Sequence, residues 1–123
     1  MQARFYDFSS RQWDPITRLQ EGGGDARLPS LAMSRHGHAV AAWGEGNMLA
    51  LPDKPFILSE SIRGRIYRAG VWESPAVLLG DGPIQARGVM DAGINDAGEA
   101  SAVLLQMKPD SPQPLQIFLN RFY

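Results

Sequence analysis

The chain of 123 residues contains no cysteine. A disulfide framework, a thiol nucleophile and a thiolate metal site are therefore excluded, and redox usage gives no indication of the compartment. An excess of one charge is also missing, because 12 Lys and Arg stand against 13 Asp and Glu. Nucleic acids and anionic lipids attract proteins through a cationic surface, so neither is an expected partner.

Long apolar runs are absent as well. No stretch approaches the roughly 18 consecutive apolar residues of a membrane span, and the N-terminus lacks the order of segments found in a signal peptide. We therefore expect no membrane insertion. The localisation stays open, with an extracellular or periplasmic location expected if the chain belongs to a larger exported protein. The length favours a single module covering 1–123.

Segments free of chain breakers are scarce, because 13 Gly and 9 Pro are spread along the sequence. Inside a helix each Gly costs about 1 kcal/mol and each Pro about 3 kcal/mol, whereas strands of about five residues fit between them. The sequence therefore predicts an all-β fold. The predicted strands are Gln2–Phe8, Ser30–Ser34, Ala39–Trp43, Arg63–Arg68, Val89–Ile94, Ala100–Gln106 and Leu115–Phe122, with Ile16–Leu19 and Ala76–Leu79 as added edge strands. The predicted loops are Glu21–Asp25, Gly44–Asn47, Pro52–Pro55 and Pro109–Pro114.

An internal repeat of about 60 residues is the strongest pattern in the sequence. Arg4-Phe5-Tyr6 returns as Arg65-Ile66-Tyr67 and as Arg121-Phe122-Tyr123, and Trp13 returns as Trp72. Other residues recur at a similar spacing: Leu19 as Leu78, Ala26-Arg27 as Ala86-Arg87, and Gly37, Ala39 and Ala41 as Gly98, Ala100 and Ala102. We predict two repeats, about 4–64 and 65–123, each with several short strands that must stack on a neighbour to bury its faces.

Each repeat contains a turn typical of a β-hairpin. Asn95-Asp96-Ala97-Gly98 and Ser34-Arg35-His36-Gly37 both combine a capping side chain at the start with a glycine at the end. This chemistry favours a hairpin with a glycine in the left-handed conformation. The strands that follow carry alanines at alternate positions, which would allow a neighbouring sheet to approach closely.

These motifs, Trp-x-x-Pro-x-x-Leu or its close variant, Gly-x-Ala-x-Ala and Arg-x-Tyr, resemble tandem repeats of about 60 residues in bacterial surface or secreted proteins. Those repeats are similar to β-propeller blades. The resemblance implies two propeller-like antiparallel β units, either part of a larger protein or associating with copies of themselves. Two units cannot close a ring that needs at least four blades, so a longer array, a ring of several chains and a face-to-face sandwich remain alternatives. We predict self-association or packing against neighbouring repeats.

The candidate ligand-binding residues are aromatic and basic. Trp13 and Trp72 follow the Arg-x-Tyr strands, where an indole could stack on a sugar ring while Arg65 and Tyr67 bind hydroxyl groups. The alternative is that each Trp is a spacer that packs between units, because large aromatic side chains more often supply buried area.

Catalytic and metal-binding patterns are weak. His36 and His38 offer two imidazoles without further ligands nearby, and Gly22-Gly23-Gly24 lacks the Lys-Ser or Lys-Thr of a phosphate-binding loop. We therefore expect no enzyme, no metal and no cofactor. The sequence favours a non-catalytic binding or interaction module for protein or carbohydrate. The alternatives are a stand-alone oligomeric lectin, an inhibitor of a partner protein and, last, a hydrolase built on loops.

Overall fold

The computed structural model describes residues 1–22, 24–46, 49–50, 57–86, 91–107 and 115–122. The secondary structure of these residues is β-strand, without helix, which confirms the all-β prediction. The strands in chain order are β1 (Gln2–Ala3), β2 (Tyr6–Asp7), β3 (Gln12–Trp13), β4 (Thr17–Arg18), β5 (Asp25–Met33), β6 (Ala39–Gly46), β7 (Leu49–Ala50), β8 (Ile57–Arg68), β9 (Val71–Trp72), β10 (Val77–Ala86), β11 (Asp91–Ile94), β12 (Ala100–Met107) and β13 (Leu115–Phe122).

The strands form three packed layers. The first sheet is an antiparallel meander of β5, β6, β8 and β10, to which β7 and β9 add by pairing with β8. The second sheet is an antiparallel meander of β11, β12 and β13. The N-terminal layer consists of two short pairs, β1 with β4 and β2 with β3. The sheets are open, and no closed ring forms among the described residues.

Several strand boundaries differ from the prediction. The predicted strand Gln2–Phe8 is divided into β1 and β2, and the predicted loop Gly44–Asn47 is strand as far as Gly46. Pairing with β5 and β8 extends β6 despite the low strand propensity of glycine, because tertiary pairing overrides local preference. The predicted loops Pro52–Pro55 and Pro109–Pro114 lie outside the described residues.

The two predicted hairpin turns have the same hydrogen bonds. The amide of Ser34 donates to the carbonyl of His38 at 2.8 Å, and the amide of Asn95 donates to the carbonyl of Glu99 at 3.0 Å. Gly37 and Gly98 both have φ of 80°, the left-handed conformation that glycine adopts at low cost. The hairpin prediction is therefore confirmed at both turns.

The central strand β6 is buried on both faces from Ala39 to Gly44. We call the face that carries Val40 and Ala42 the back face, and it packs against the second sheet. The opposite face carries Ala41 and Trp43 and packs against the N-terminal layer, and we call it the front face. Alternation of side chains along a strand produces this two-sided packing. The first sheet therefore occupies the middle of the stack.

The core between the two sheets depends on a close approach at Gly64. A Cβ at Gly64 would lie 2.8 Å from Cδ1 of Leu79 and 3.1 Å from Cζ of Phe122. The residues of this core are Val40, Ala42, Ile62, Ile66 and Leu79 of the first sheet and Ala92, Ala100, Ala102, Leu104 and Phe122 of the second. The second sheet therefore packs its own front face on the back face of the first.

The core in front of the first sheet is built around Trp43, which is fully buried. Leu19, Ala41 and Ala76 complete its buried cluster, and Met1 and Ala3 of the N-terminal layer pack against it. The indole Nε1 of Trp43 donates to Oε2 of Glu45 at 2.9 Å, so its polar group is satisfied.

The second sheet lies on the first with a regular offset along the sequence. The Oγ of Ser30 donates to Oδ1 of Asp91 at 3.4 Å, and Nε of Arg35 donates to Oδ2 of Asp96 at 3.0 Å. Both pairs are separated by 61 residues, the spacing of the two hairpin turns. Residues in corresponding positions of the two sheets therefore lie against each other.

The register of β13 differs from the sequence alignment. Phe122 lies opposite Ala100, and Tyr67 lies opposite Ala39, so Phe122 takes the position of Tyr67 rather than that of Ile66. A shift of one residue places every side chain of a strand on the other face. Arg121 consequently lies on the exposed back face, whereas Arg65 lies on the front face opposite Ala41.

Candidate functional site

A tight hairpin at the end of β8 carries two of the predicted ligand-binding residues. Tyr67 lies opposite Trp72, with their ring centroids 5.5 Å apart. The intervening Ala69 and Gly70 have φ of 50° and 83°. Two successive residues of positive φ form the turn that suits the twist of paired strands. The hairpin therefore holds both rings on one side of the first sheet, because directly opposed residues share a face.

The N-terminal layer contains a corresponding aromatic hairpin. Tyr6 lies opposite Trp13, with ring centroids 5.1 Å apart. Trp13 is 56% exposed, and the guanidinium carbon of Arg4 lies 4.5 Å from the centroid of its indole ring. This cation–π contact occupies one face of the exposed indole.

The loop of the N-terminal hairpin is organised by Asp7. Its carboxylate accepts hydrogen bonds from the backbone amide and hydroxyl of Ser9, at 2.8 and 2.6 Å, and from the hydroxyl of Ser10 at 2.7 Å. These hydrogen bonds, those from the Ser9 and Ser10 hydroxyls first, lower the pKa of Asp7 to about 2. The carboxylate of Asp7 therefore uses its hydrogen bonds within its own loop.

Phe5 connects the two hairpins. Its ring centroid lies 4.4 Å from that of Tyr67 and 5.9 Å from that of Trp72, and its plane is inclined by 20° to the indole of Trp72. Such offset aromatic contacts add stability beyond the area that they bury. The junction between the N-terminal layer and the first sheet is therefore held by stacked rings.

A groove of about 380 Å³ opens along this junction. We call it the seam groove. The N-terminal layer contributes Arg4, Phe5, Asp14, Pro15 and Thr17, and the β8–β9 hairpin contributes Tyr67, Gly70, Val71 and Trp72. The groove thus combines aromatic rings with a cationic group, a carboxylate and hydroxyl groups. Its volume lies within the range of pockets that bind small organic ligands.

Arg65 does not line the seam groove. Its side chain is buried and forms an ion pair with Glu21, which also accepts a hydrogen bond from the hydroxyl of Ser74 at 3.0 Å. The Ser74 hydrogen bond first and the charge of Arg65 next lower the pKa of Glu21. The Nε of Arg65 is buried without a hydrogen-bond partner among the described residues. Arg65 therefore ties the N-terminal layer to the first sheet and is not positioned to meet a ligand in the groove.

The structure therefore brings together two of the four predicted residues. Tyr67 and Trp72 share the seam groove, whereas Trp13 lies outside its lining and Arg65 is buried elsewhere. Arg4 and Asp14, which also line the groove, were not predicted as ligand-binding residues. Arg4 begins the first Arg-x-Tyr motif and Asp14 directly follows Trp13, so their places in the repeated motifs are the signal that could have indicated them.

Two other polar regions of the described residues lie away from the seam groove. His36 is exposed and its Nδ1 lies 3.5 Å from Oδ1 of Asp96. Within the described part of the chain, no group of three or more His, Cys, Asp or Glu could hold a metal ion. A hollow of larger volume, about 450 Å³, is lined by residues of the second sheet that include Ser101 and Arg121. No helix among the described residues is long and apolar enough to cross a membrane.

Comparison with known proteins gives no assignment. No protein-family model, curated protein or solved structure matches the sequence. The function must therefore be inferred from the geometry of the chain itself.

Proposed function

We propose that the chain is a non-catalytic, propeller-like binding module that holds a carbohydrate in the seam groove. The observation that carries the proposal is the groove between two aromatic hairpins, lined by the rings of Tyr67 and Trp72 and by the charged groups of Arg4 and Asp14. In this proposal the module belongs to a larger bacterial surface or secreted protein.

The propeller-like part of the proposal is supported by strand order. A blade is a four-stranded antiparallel meander, and β5, β6, β8 and β10 have this order. The pairing of Gln2 with Arg18 in the N-terminal layer corresponds to that of Arg63 with Leu78 in the first sheet. Because Arg18 corresponds to Leu78 in this alignment, Leu19 corresponds to Leu79 and not to Leu78 as the sequence repeat suggested. Leu19 and Leu79 are both buried.

The chemistry of the groove suits a sugar ring. Aromatic faces accept the apolar C–H groups of a pyranose, while a guanidinium donates to hydroxyl oxygens and a carboxylate accepts from hydroxyl protons. Arg4 and Asp14 supply these two polar functions beside the rings of Tyr67 and Trp72. Orientation of the ligand would come from the polar pair, and most of its buried area from the rings.

The groove is better suited to binding than to hydrolysis. Glycoside hydrolysis ordinarily requires two carboxyl groups on opposite sides of the scissile bond. Among the described lining residues Asp14 is the one carboxylate. We therefore place the hydrolase alternative behind a lectin-type function.

A glycan array probed with the full chain tests the proposal, followed by titration calorimetry with any sugar that binds. Arg4→Gln and Asp14→Asn should each weaken binding by about tenfold or more, since each removes a charged hydrogen bond to the ligand. Both side chains are exposed, so thermal stability should change little.

Phe8→Ala is the matched control, because Phe8 is an aromatic residue outside the groove lining and is 85% exposed. At a protein concentration at which the chain is monomeric, Phe8→Ala should retain affinity, whereas Trp72→Ala should lose it. Absence of binding to every sugar on the array, or undiminished affinity in Arg4→Gln and Asp14→Asn, would refute the proposed function.

A further inference from the structure

An uncovered apolar surface lies at the back of the stack of layers. On the second sheet, Val103 and Leu119 lie opposite each other on the back face, and both are exposed. Ile117 lies two residues before Leu119 on the same face and is 75% exposed. None of the described residues covers these three side chains. We call this surface the back surface.

The positions that correspond to the back surface in the first sheet are buried. Ile117 lies opposite Leu105, and Ile62 lies opposite Gly44, so Ile117 has the position of Ile62. Ile62 is only 3% exposed, because the second sheet covers it. The same correspondence relates Val103 to the fully buried Ala42. In the first sheet, the residues at these positions of the back face are therefore covered by the front face of the second sheet.

The front side of the stack also exposes apolar side chains. Leu31 lies opposite Ala41 and Met33 opposite Ala39, so both belong to the front face of the first sheet. Their side chains are nevertheless exposed. The N-terminal layer packs on the same front face through Met1 and Ala3, and its Trp13 and Ile16 are exposed as well. We call the surface formed by Trp13, Ile16, Leu31 and Met33 the front surface.

The contact inside the chain indicates what each surface fits. The front of the second sheet already packs on the back of the first, with corresponding residues in contact. We propose that the back surface of one copy docks on the front surface of a second copy, so that chains add head to tail in the direction in which the layers stack. This contact is heterologous and leaves one surface free at each end.

The rim of the back surface makes this docking reversible. Ser101 and Arg121 stand on the exposed face at the positions that Val40 and Ile66 occupy in the buried core. Polar groups in place of two buried aliphatic side chains weaken the contact relative to the internal one. We therefore expect association that depends on protein concentration, in contrast to the permanent packing of the internal layers.

Sedimentation velocity of the full chain tests the proposal. The average mass should rise above the 13.5 kDa of the monomer as the concentration increases. Ile117→Glu on the back surface and Leu31→Glu on the front surface should each remain monomeric. A 1:1 mixture of the two variants should form a dimer of twice the monomer mass, because the intact front of one meets the intact back of the other.

Val77→Glu is the matched control, since Val77 is an exposed aliphatic residue on β10, outside both surfaces and outside the seam groove. It should associate as the unmodified chain does. Circular dichroism should show that the variants fold, and Leu119→Glu and Met33→Glu replace any that do not. A chain that stays monomeric at all concentrations, a single variant that still dimerises, or a mixture that does not would overturn the proposal.

Discussion

Replacement of two isoleucines in corresponding positions offers the sharpest test of the layered packing. Ile62 is 3% exposed in the core between the two sheets, whereas Ile117 is 75% exposed on the back surface. Replacement of a buried isoleucine by alanine lowers the free energy of unfolding by about 2 to 5 kcal/mol. Ile62→Ala should lose this amount. Ile117→Ala should lose about 0.5 kcal/mol, the usual limit for a surface substitution.

Urea unfolding followed by circular dichroism measures both values, at a dilution where the chain is monomeric. The chemical change is identical in the two variants and both residues are in strands, so strand propensity largely cancels from the difference. Only the layer that covers Ile62 distinguishes them. Equal losses in the two variants, or a larger loss in Ile117→Ala, would show that the second sheet does not cover the first as described.

Two further predictions concern the hairpin turns and their contact. Gly37→Ala should cost about 1 to 2 kcal/mol through its positive φ alone, and Gly98→Ala should cost more in thermal unfolding, because a Cβ there would lie 2.8 Å from Cδ of Arg68. The hydrogen bond from Arg35 lowers the pKa of Asp96 in the folded chain below its ordinary value of 3.8. The ionised Asp96 carboxylate therefore stabilises the fold fully above pH 3.8, and this stabilisation is lost as the pH falls through the lower pKa of the folded state. Asp96→Asn should therefore flatten the loss of thermal stability below about pH 4.

The sequence was sufficient to predict features that depend on local chemistry. The capping side chain and glycine of each turn specify a hairpin irrespective of the surroundings, and both hairpins are present. The scarcity of uninterrupted segments correctly predicted strands instead of helices. These predictions hold because turn conformation and helix propensity are properties of a few neighbouring residues.

Features that depend on distant partners were not predictable. Arg65 was predicted to bind a ligand because it begins the Arg-x-Tyr motif that precedes Trp72, where its guanidinium could bind the hydroxyl groups of a sugar stacked on the indole. Its burial depends on Glu21, which lies 44 residues away in the sequence. The register of β13 is set by its pairing with β12, and the recurrence of Arg121-Phe122 gave no indication of the one-residue shift. Long-range pairing therefore decided both the site and the orientation of the last strand.

The proposals for ligand binding and for association are connected through the two tryptophans of the repeat. Trp72 lines a groove because the N-terminal layer lies in front of its hairpin, whereas Trp13 is exposed because none of the described residues lies in front of it. Head-to-tail docking would place the back surface of a second copy in front of Trp13. Association should therefore bury the indole of Trp13 and shift its fluorescence emission to shorter wavelength as the protein concentration rises. Trp13→Ala should abolish this concentration-dependent shift, and a shift that persists in Trp13→Ala would show that the second copy does not dock in front of Trp13.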